Sequence, residues 1–307
     1  GISSLMAGAS DNIFMYAAAV TIWGLHDAFS SGTGAAMIYD TLLEEQGHAR
    51  NFNRALGLYE TLGGIALIIS NFLGGWIGEH SLLLAFNLTI VPIVISMVCH
   101  IIYKDAKISR EVADEKLIKH TKNTFKCVFK SKSLLWLMAA IMIVFCIQKM
   151  NREAYQLWYI ALSAPAIVFG IAGSFIEGLG GLGGSLVKYL SSKQINIVLS
   201  ILLGLASLAL SVGSNLWITI AAQVLIAVVS GALLFHFTAQ IQHQLPSRYR
   251  TGSGSVINAV GRIVLMPLTF VFGVLSNQSV FIAGWMLVVL SGLAIFVQLK
   301  LDEQASP

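Results

Sequence analysis

Six ionisable side chains interrupt long apolar stretches of this chain, and their types suit proton transfer and charge pairing. They are His26, Asp27, Glu60, Glu177, His236 and Arg262. A charge near the centre of a lipid bilayer costs about 2.5–3.5 kcal/mol on insertion scales, so it persists mainly where it faces water or a partner. These residues therefore predict a polar route through a membrane, along which a solute or protons could move.

Asp27 is a candidate proton carrier. It lies near the middle of the apolar stretch 12–40, and Ser31 and Gly34 share its helical face at i+4 and i+7. An intramembrane carboxylate of this kind is functional by default, although an interhelical hydrogen bond that only stabilises packing is the alternative. His26 points about 100° away from its neighbour, and we interpret it as structural.

The remaining four residues allow two interpretations each. Glu60 could form an ion pair that gates transport, or a local contact at its helix end. Because Glu177 and Arg262 would each be costly alone, we expect them to pair with one another, either to couple a conformational change or to lock helices together. His236 could bond across helices, and histidine changes charge near neutral pH.

Nine apolar stretches carry or separate these residues, and each is long enough to cross a bilayer. They are 12–40, 54–78, 82–103, 133–150, 160–188, 195–213, 216–242, 252–276 and 280–299. Hydrophobic residues make up 56% of the chain and charged residues 11%, and the mean hydropathy is +0.77. A soluble domain usually carries about 25% charged residues, so this class is excluded. Backbone polar groups must be satisfied inside lipid, which predicts helices.

The positive charges predict how these helices are oriented. Most of the 19 Lys and Arg residues lie in or beside five segments that alternating spans place on one side: 41–53, 104–132, 189–194, 243–251 and the C-terminus. Lys149 and Arg152 lie at a predicted turn on the other side. Cytoplasmic loops are enriched in Lys and Arg, so the first group is predicted to be cytoplasmic. The net charge of +4 reflects this topology and does not indicate a nucleic-acid partner.

The sequence shows no pattern typical of an enzyme, a cofactor site or a metal site. Motifs of zinc proteases, nucleophile elbows and Walker loops are absent. The run GLGGLG at 178–183 matches a dinucleotide pattern, but it lies in an apolar stretch with no preceding strand, so we interpret it as a close helix contact. The three cysteines, Cys99, Cys127 and Cys146, are far apart and have no metal-site spacing.

Three segments resemble the major facilitator superfamily, in particular its bacterial efflux branch. SSGTGAAMIYDTL (30–42) is similar to the cytoplasmic end of the family's fourth span. YQLWYIALSAPAIVFGIAG (155–173) is similar to the passage from its seventh to its eighth span, and LPSRYRTGSGS (245–255) to the basic loop that enters its eleventh. The basic segment 104–132 occupies the position of the family's central loop.

The family's antiporter motif in the fifth span is only partly present. Gly57, Gly74 and Gly75 match its glycines, whereas Ala66 and Ser70-Asn71 occupy the positions of a Gly and a Gly-Pro. This departure bears on whether the chain exchanges its solute for protons.

The resemblance implies an all-α membrane protein with nine full transmembrane helices and an N-terminal stub. Residues 1–103 would be the remnant of an N-terminal six-helix half, 104–132 a cytoplasmic basic linker, and 133–307 a C-terminal six-helix half. The chain starts without Met, and we expect the family's first two spans and most of the third to be missing.

The function implied by the resemblance is secondary active transport, namely the proton-coupled efflux of a small amphipathic molecule by alternating access. Alternatives are uptake of a polar solute, or a non-transporting membrane protein or truncated remnant. We expect a multi-pass protein of a bacterial-type plasma membrane that acts as a monomer. Its partners would be a small solute, protons and the lipid bilayer, with no nucleic acid and no cofactor.

Overall fold

A computed structural model of the protein describes residues 1–30, 33–47, 51–103, 131–182, 193–244 and 247–305. The regular secondary structure of these residues is helical. The chain divides into two compact units, Gly1–Val112 and Ala113–Pro307. Seven segments of the described residues are long and apolar enough to cross a membrane. The protein is thus all-helical over its described part.

Six helices are described in the N-terminal unit. They are α1 (Ile2–Gly8), α2 (Ile13–Ser30), α3 (Thr33–Gln46), α4 (Phe52–His80), α5 (Leu82–Leu88) and α6 (Ile90–Ile102). Helices α5 and α6 form one apolar segment that is divided at Thr89. Pro92 accounts for this division, because proline lacks the N–H that would bond the carbonyl of Leu88 and its ring crowds that carbonyl.

Packing in the N-terminal unit is sparse. Helix α1 lies against α2 and α5: the Ser3 hydroxyl donates to the Ala19 carbonyl at 2.7 Å, and a Cβ on Gly8 would lie 2.9 Å from Cβ of Phe86. Ala19 is the one apolar residue that is buried among those described in this unit. Contacts of small residues such as Ser3 and Gly8, rather than a core of large buried side chains, therefore join these described helices.

The other six helices that the structure describes lie in the C-terminal unit. They are α7 (Lys132–Ala161), α8 (Ala166–Leu182), α9 (Lys193–Val212), α10 (Leu216–Gln244), α11 (Ser247–Ser276) and α12 (Val280–Ala305). Helix α7 is central and contacts α8, α10, α11 and α12. Its Trp158 is fully buried and donates its indole N–H to the Leu210 carbonyl of α9 at 2.9 Å.

A seam of small residues joins α9 to α12. The buried hydroxyls of Ser207 and Ser291 lie 3.1 Å apart, and a Cβ on Gly284 would come within 3.3 Å of the Ser211 backbone. Such close approach of backbones is how helices associate in membranes, where apolar side chains gain little by leaving lipid.

The predicted count of nine spans is not confirmed, since seven candidates are found among the described residues. The stretch predicted at 12–40 is divided into α2 and α3. The stretch predicted at 160–188 is described only over α8, and 183–192 lies outside the described residues. The residues described in these two places contribute only the shorter apolar helices Ile13–His26 and Ala166–Leu179.

The span predicted at 133–150 is found, but its predicted end and the turn predicted at Lys149–Arg152 are wrong. Helix α7 continues through both residues to Ala161, and the chain turns only after it. Its buried face also continues, with Met150, Tyr155 and Trp158 on the core side at the spacing of one helical face. Charges on the opposite face lowered the local hydropathy and imitated a turn.

Candidate functional site

A polar face on α7 carries three charged residues within a long, largely apolar helix of the C-terminal unit. Lys149, Arg152, Glu153 and Gln156 follow one another at i, i+3, i+4 and i+7, so they share one side of the helix. Arg152, Glu153 and Gln156 are exposed on the surface of the unit, and Lys149 is half-buried. The face begins about 4 Å past the middle of the 30-residue helix.

Glu177 of α8 forms an ion pair with this polar face. The Arg152 Nε donates to the Glu177 Oε1. The arginine side chain is 43% exposed and the glutamate 17% exposed, so the pair lies at the surface of the unit with its carboxylate the better shielded. The structure thus gives Glu177 a partner other than the predicted Arg262. Sequence reasoning missed it because Arg152 had been placed in an external turn.

Arg262 of α11 is exposed on the surface of the C-terminal unit. The preceding Gly261 is buried, and a Cβ on it would lie 2.9 Å from the Phe145 ring of α7. Phe145 is one helical turn before Lys149. The missing side chain of Gly261 therefore lets α11 approach α7 beside the polar face and brings Arg262 to it.

A buried network behind the polar face holds α7 against α10. The Asn151 amide donates to the Gln223 carbonyl at 3.1 Å, and the Gln223 amide donates to the Tyr155 carbonyl at 3.2 Å. The Tyr159 hydroxyl donates to the Gln223 side-chain oxygen. Asn151, Gln223 and Tyr159 are at most 1% exposed. The network stops α7 from rotating and so fixes the direction of its polar face.

Sequence reasoning missed this network because it searched for ionisable residues. The signal that could have found it is an uncharged amide inside an apolar run, since a buried amide needs a partner. Asn151 and Gln223 are such residues.

His236 of α10 belongs to a separate polar cluster. The Asn196 amide and the Gln240 amide both lie within hydrogen-bond distance of His236 Nε2, at 3.1 and 2.7 Å. Both amide nitrogens donate, so Nε2 accepts and the ring proton is on Nδ1. His236 is 13 residues from Gln223, or about 20 Å along α10. His236 and Glu177 therefore bond different partners, Asn196 and Gln240 for the histidine and Arg152 for the glutamate.

The other predicted site residues lie on the N-terminal unit. Asp27 and Glu60 fall in α2 and α4, but their side chains lie outside the described residues. Gly57 and Gly74 of the motif remnant are on α4, and a Cβ on either would meet nothing within 4 Å. Gly75 lies on the same helix.

Metal ligands do not gather in the part of the chain that the structure describes. Its His, Cys, Asp and Glu residues form no group of three that could hold an ion. The side chains of the polar face, a lysine, an arginine, a glutamate and a glutamine, are of types that form ion pairs and hydrogen bonds.

Comparison with known proteins identifies the fold. A solved structure with a TM-score of 0.72 is the crystal structure of a bacterial homologue of the human lysosomal transporter Spinster, in an inward-facing and unoccupied conformation. The match covers 98% of this chain and 80% of that one at 10% sequence identity, so it shows a shared fold alone. No curated protein matches the sequence.

The family model of the Major Facilitator Superfamily matches residues 1–266. It confirms the resemblance that the sequence segments indicated, and it points to a multi-pass membrane transporter rather than an enzyme. With most of its length matched by this model, the chain belongs to the Major Facilitator Superfamily.

Proposed function

We propose that this protein is a secondary transporter that exports a small amphipathic molecule across a plasma membrane in exchange for protons. The observation that carries the proposal is the polar face of α7 with its ion pair to Glu177. Charged side chains inside an apolar span mark substrate or ion pathways, because lipid exposure would cost each of them about 2.5–3.5 kcal/mol. The export direction and the plasma membrane rest on the sequence resemblance to the efflux branch.

The Arg152–Glu177 pair supports proton coupling. A proton on Glu177 removes the negative charge that binds Arg152, so the pair separates and the contact between α7 and α8 weakens. A proton can shift a transporter between two conformations only if it binds one of them better. Because Glu177 is paired in one arrangement and released in the other, it meets this condition.

The surroundings of the polar face support an amphipathic substrate. Leu157 and Ile160 continue the exposed side of α7 and are 39% and 64% exposed on the unit. A molecule bound here would contact charge at one end and apolar side chains at the other. Ligand sites in transporters typically lie near the bilayer midplane between helices of the bundle.

Asp27, Glu60 and His236 remain proposed members of the proton pathway. Asp27→Asn should impair proton-coupled transport and leave the protein folded, because Asn keeps the size and hydrogen-bonding capacity of Asp. His236 would act separately from Glu177, through its bonds to Asn196 and Gln240.

The test is transport in proteoliposomes with an imposed pH gradient, read by a fluorescent amphipathic dye and by a trapped pH indicator. Glu177→Gln should lower dye-driven proton movement at least tenfold, since a neutral amide cannot take up the proton. Glu303→Gln is the matched control: its carboxylate also pairs with a cation, Lys300, but it is 65% exposed near the C-terminus.

Three results would overturn the proposal. Proton movement that stays normal in Glu177→Gln would remove Glu177 from the coupling, and dye that never moves in the unmodified protein would favour a non-transporting protein. Dye accumulation against the predicted direction would favour uptake instead. Size-exclusion profiles of both variants show whether a loss comes from misfolding.

A further inference from the structure

Three cations and two carboxylates meet where α7, α8 and α11 come together, and their pairing is uneven. Arg152 is bonded to Glu177. Lys149 and Arg262 form no salt bridge with any carboxylate that the structure describes. Glu153 is exposed on the same side of α7 and offsets one of these two charges. One positive charge in the middle of an apolar span is therefore left without a counter-charge.

The two cations are placed close together by the contact between α7 and α11. Gly261 touches the Phe145 ring, where a Cβ would lie 2.9 Å from two ring carbons. Lys149 follows Phe145 by one turn on the same face, and Arg262 is the next residue after Gly261. Lys149 is half-buried and Arg262 exposed, so both can reach a bound molecule at this junction.

We propose that Lys149 and Arg262 bind the anionic head of the transported molecule, so that the substrate is an amphiphile bearing a carboxylate or a phosphate. The inference rests on the proposed transport function and names its substrate class. Two like charges in a membrane span are costly when unpaired, and an anion removes that cost. The planar guanidinium of Arg262 can donate two parallel hydrogen bonds to either head group, and Lys149 supplies a compact charge.

Apolar side chains follow each cation on its own face, where the body of the substrate would lie. On α7, Leu157 and Ile160 come eight and eleven residues after Lys149. On α11, Met266 and Phe270 come four and eight residues after Arg262 and are 71% and 73% exposed on the unit. An amphiphile could bind with its anionic head at Lys149 and Arg262 and its apolar tail along these exposed apolar side chains. A cationic head would be repelled by the two cations.

Binding to the purified protein in lipid nanodiscs tests the charge preference. Three fluorescent probes share one apolar body and end in a carboxylate, a phosphate or a trimethylammonium group, and empty nanodiscs give the lipid background. The carboxylate or the phosphate probe should bind at least tenfold more tightly than the cationic probe. Which of the two binds more tightly identifies the head group.

Substitutions locate the site. Lys149→Gln and Arg262→Gln should each weaken binding of the anionic probes about tenfold or more, as expected for a lost charge-assisted hydrogen bond, and leave the cationic probe unchanged. Arg262→Lys should retain part of the affinity. Lys300→Gln is the control, because Lys300 is a cation paired with Glu303 near the C-terminus. The double variant Lys149→Glu, Arg262→Glu should reverse the preference.

The outcomes distinguish a failure of the proposed anion site from a failure of the proposed transport function. Tight binding of the cationic probe in nanodiscs and its transport in proteoliposomes, both unaffected by either Gln variant, would overturn the anion site and leave amphiphile transport standing. Anion binding that persists in both Gln variants would place the site elsewhere and overturn the assignment to Lys149 and Arg262. If no probe binds or moves, both proposals fail together.

Discussion

The N-terminal and C-terminal units are built from similarly apolar helices but bury them very differently. In the N-terminal unit the apolar segments Gly57–His80 and Leu82–Ile102 bury none of their described residues inside the protein, whereas half of the residues of Lys132–Ala161 in the C-terminal unit are buried. Apolarity alone therefore does not decide how a membrane helix packs. Helices dissolved in lipid gain little from apolar contact as such.

What distinguishes the C-terminal unit is a set of bonds and close contacts between helices. Trp158 of α7 donates a hydrogen bond to α9, and the Asn151–Gln223 network joins α7 to α10 by hydrogen bonds. Small residues let α9 approach α12 closely. In the N-terminal unit the contacts of this kind include the Ser3–Ala19 bond, the Gly8–Phe86 approach and the Thr41–Tyr103 bond of 3.0 Å. The difference suggests matched substitutions, one in each unit.

The largest difference is expected for a pair of tryptophans. Trp158→Ala should lower the free energy of unfolding by about 3–5 kcal/mol, since it empties a fully buried site and removes the bond to Leu210. Trp76→Ala should change it by less than about 1 kcal/mol, because Trp76 is 52% exposed on its unit. Thermal unfolding in detergent measures both. Equal losses would show that the N-terminal unit has a core of its own.

A pair of glycines should give the next effect. Gly261→Ala places a Cβ 2.9 Å from the Phe145 ring, and the buried ring must move, which costs about 1–3 kcal/mol. Gly74→Ala meets nothing within 4 Å and should be neutral or stabilising by up to about 1 kcal/mol through helix propensity.

The same thermal assay checks the glycine pair, and a third variant sharpens it. Combining Gly261→Ala with Phe145→Leu should recover part of the loss, because the shorter side chain makes room for the added methyl. A loss that Phe145→Leu only deepens would argue that Gly261 acts through some other contact.

A pair of serines should give the smallest effect. Ser291→Ala removes a buried hydrogen bond between α12 and α9. Interhelical hydrogen bonds in membranes contribute about 0.6 kcal/mol on average, so the free energy of unfolding should fall by about that amount. Ser70→Ala removes only an exposed bond within α4, from its hydroxyl to the Leu67 carbonyl, and should have no measurable effect. Thermal unfolding in detergent measures the stability of both variants against that of the unmodified protein. An equal loss in the two variants would contradict a role for the Ser207–Ser291 bond in stability.

The sequence predicted the class, the family and most helices, but it misplaced the centre of the candidate site. Long apolar runs must be helices in lipid, so α4, α9, α10 and α12 were found nearly where they lie. Hydropathy could not tell a turn from a charged stripe on a continuous helix. Lys149 and Arg152 were therefore assigned to a turn, whereas both lie within α7. Glu177 was given Arg262 as its partner, whereas it bonds Arg152.

The sequence by itself determined that the chain crosses a membrane, that it belongs among helical transporters, and which side chains are too polar to face lipid. These properties follow from the amino-acid composition and from the length and spacing of the apolar runs, which can be read along the chain without knowledge of its packing. Only the tertiary structure decided that Arg152 bonds Glu177, that Gly261 brings Arg262 beside α7, and that Gln223 fixes the direction of the polar face. Each of these depends on residues between 25 and 116 positions apart, because helix packing joins side chains that no local pattern relates.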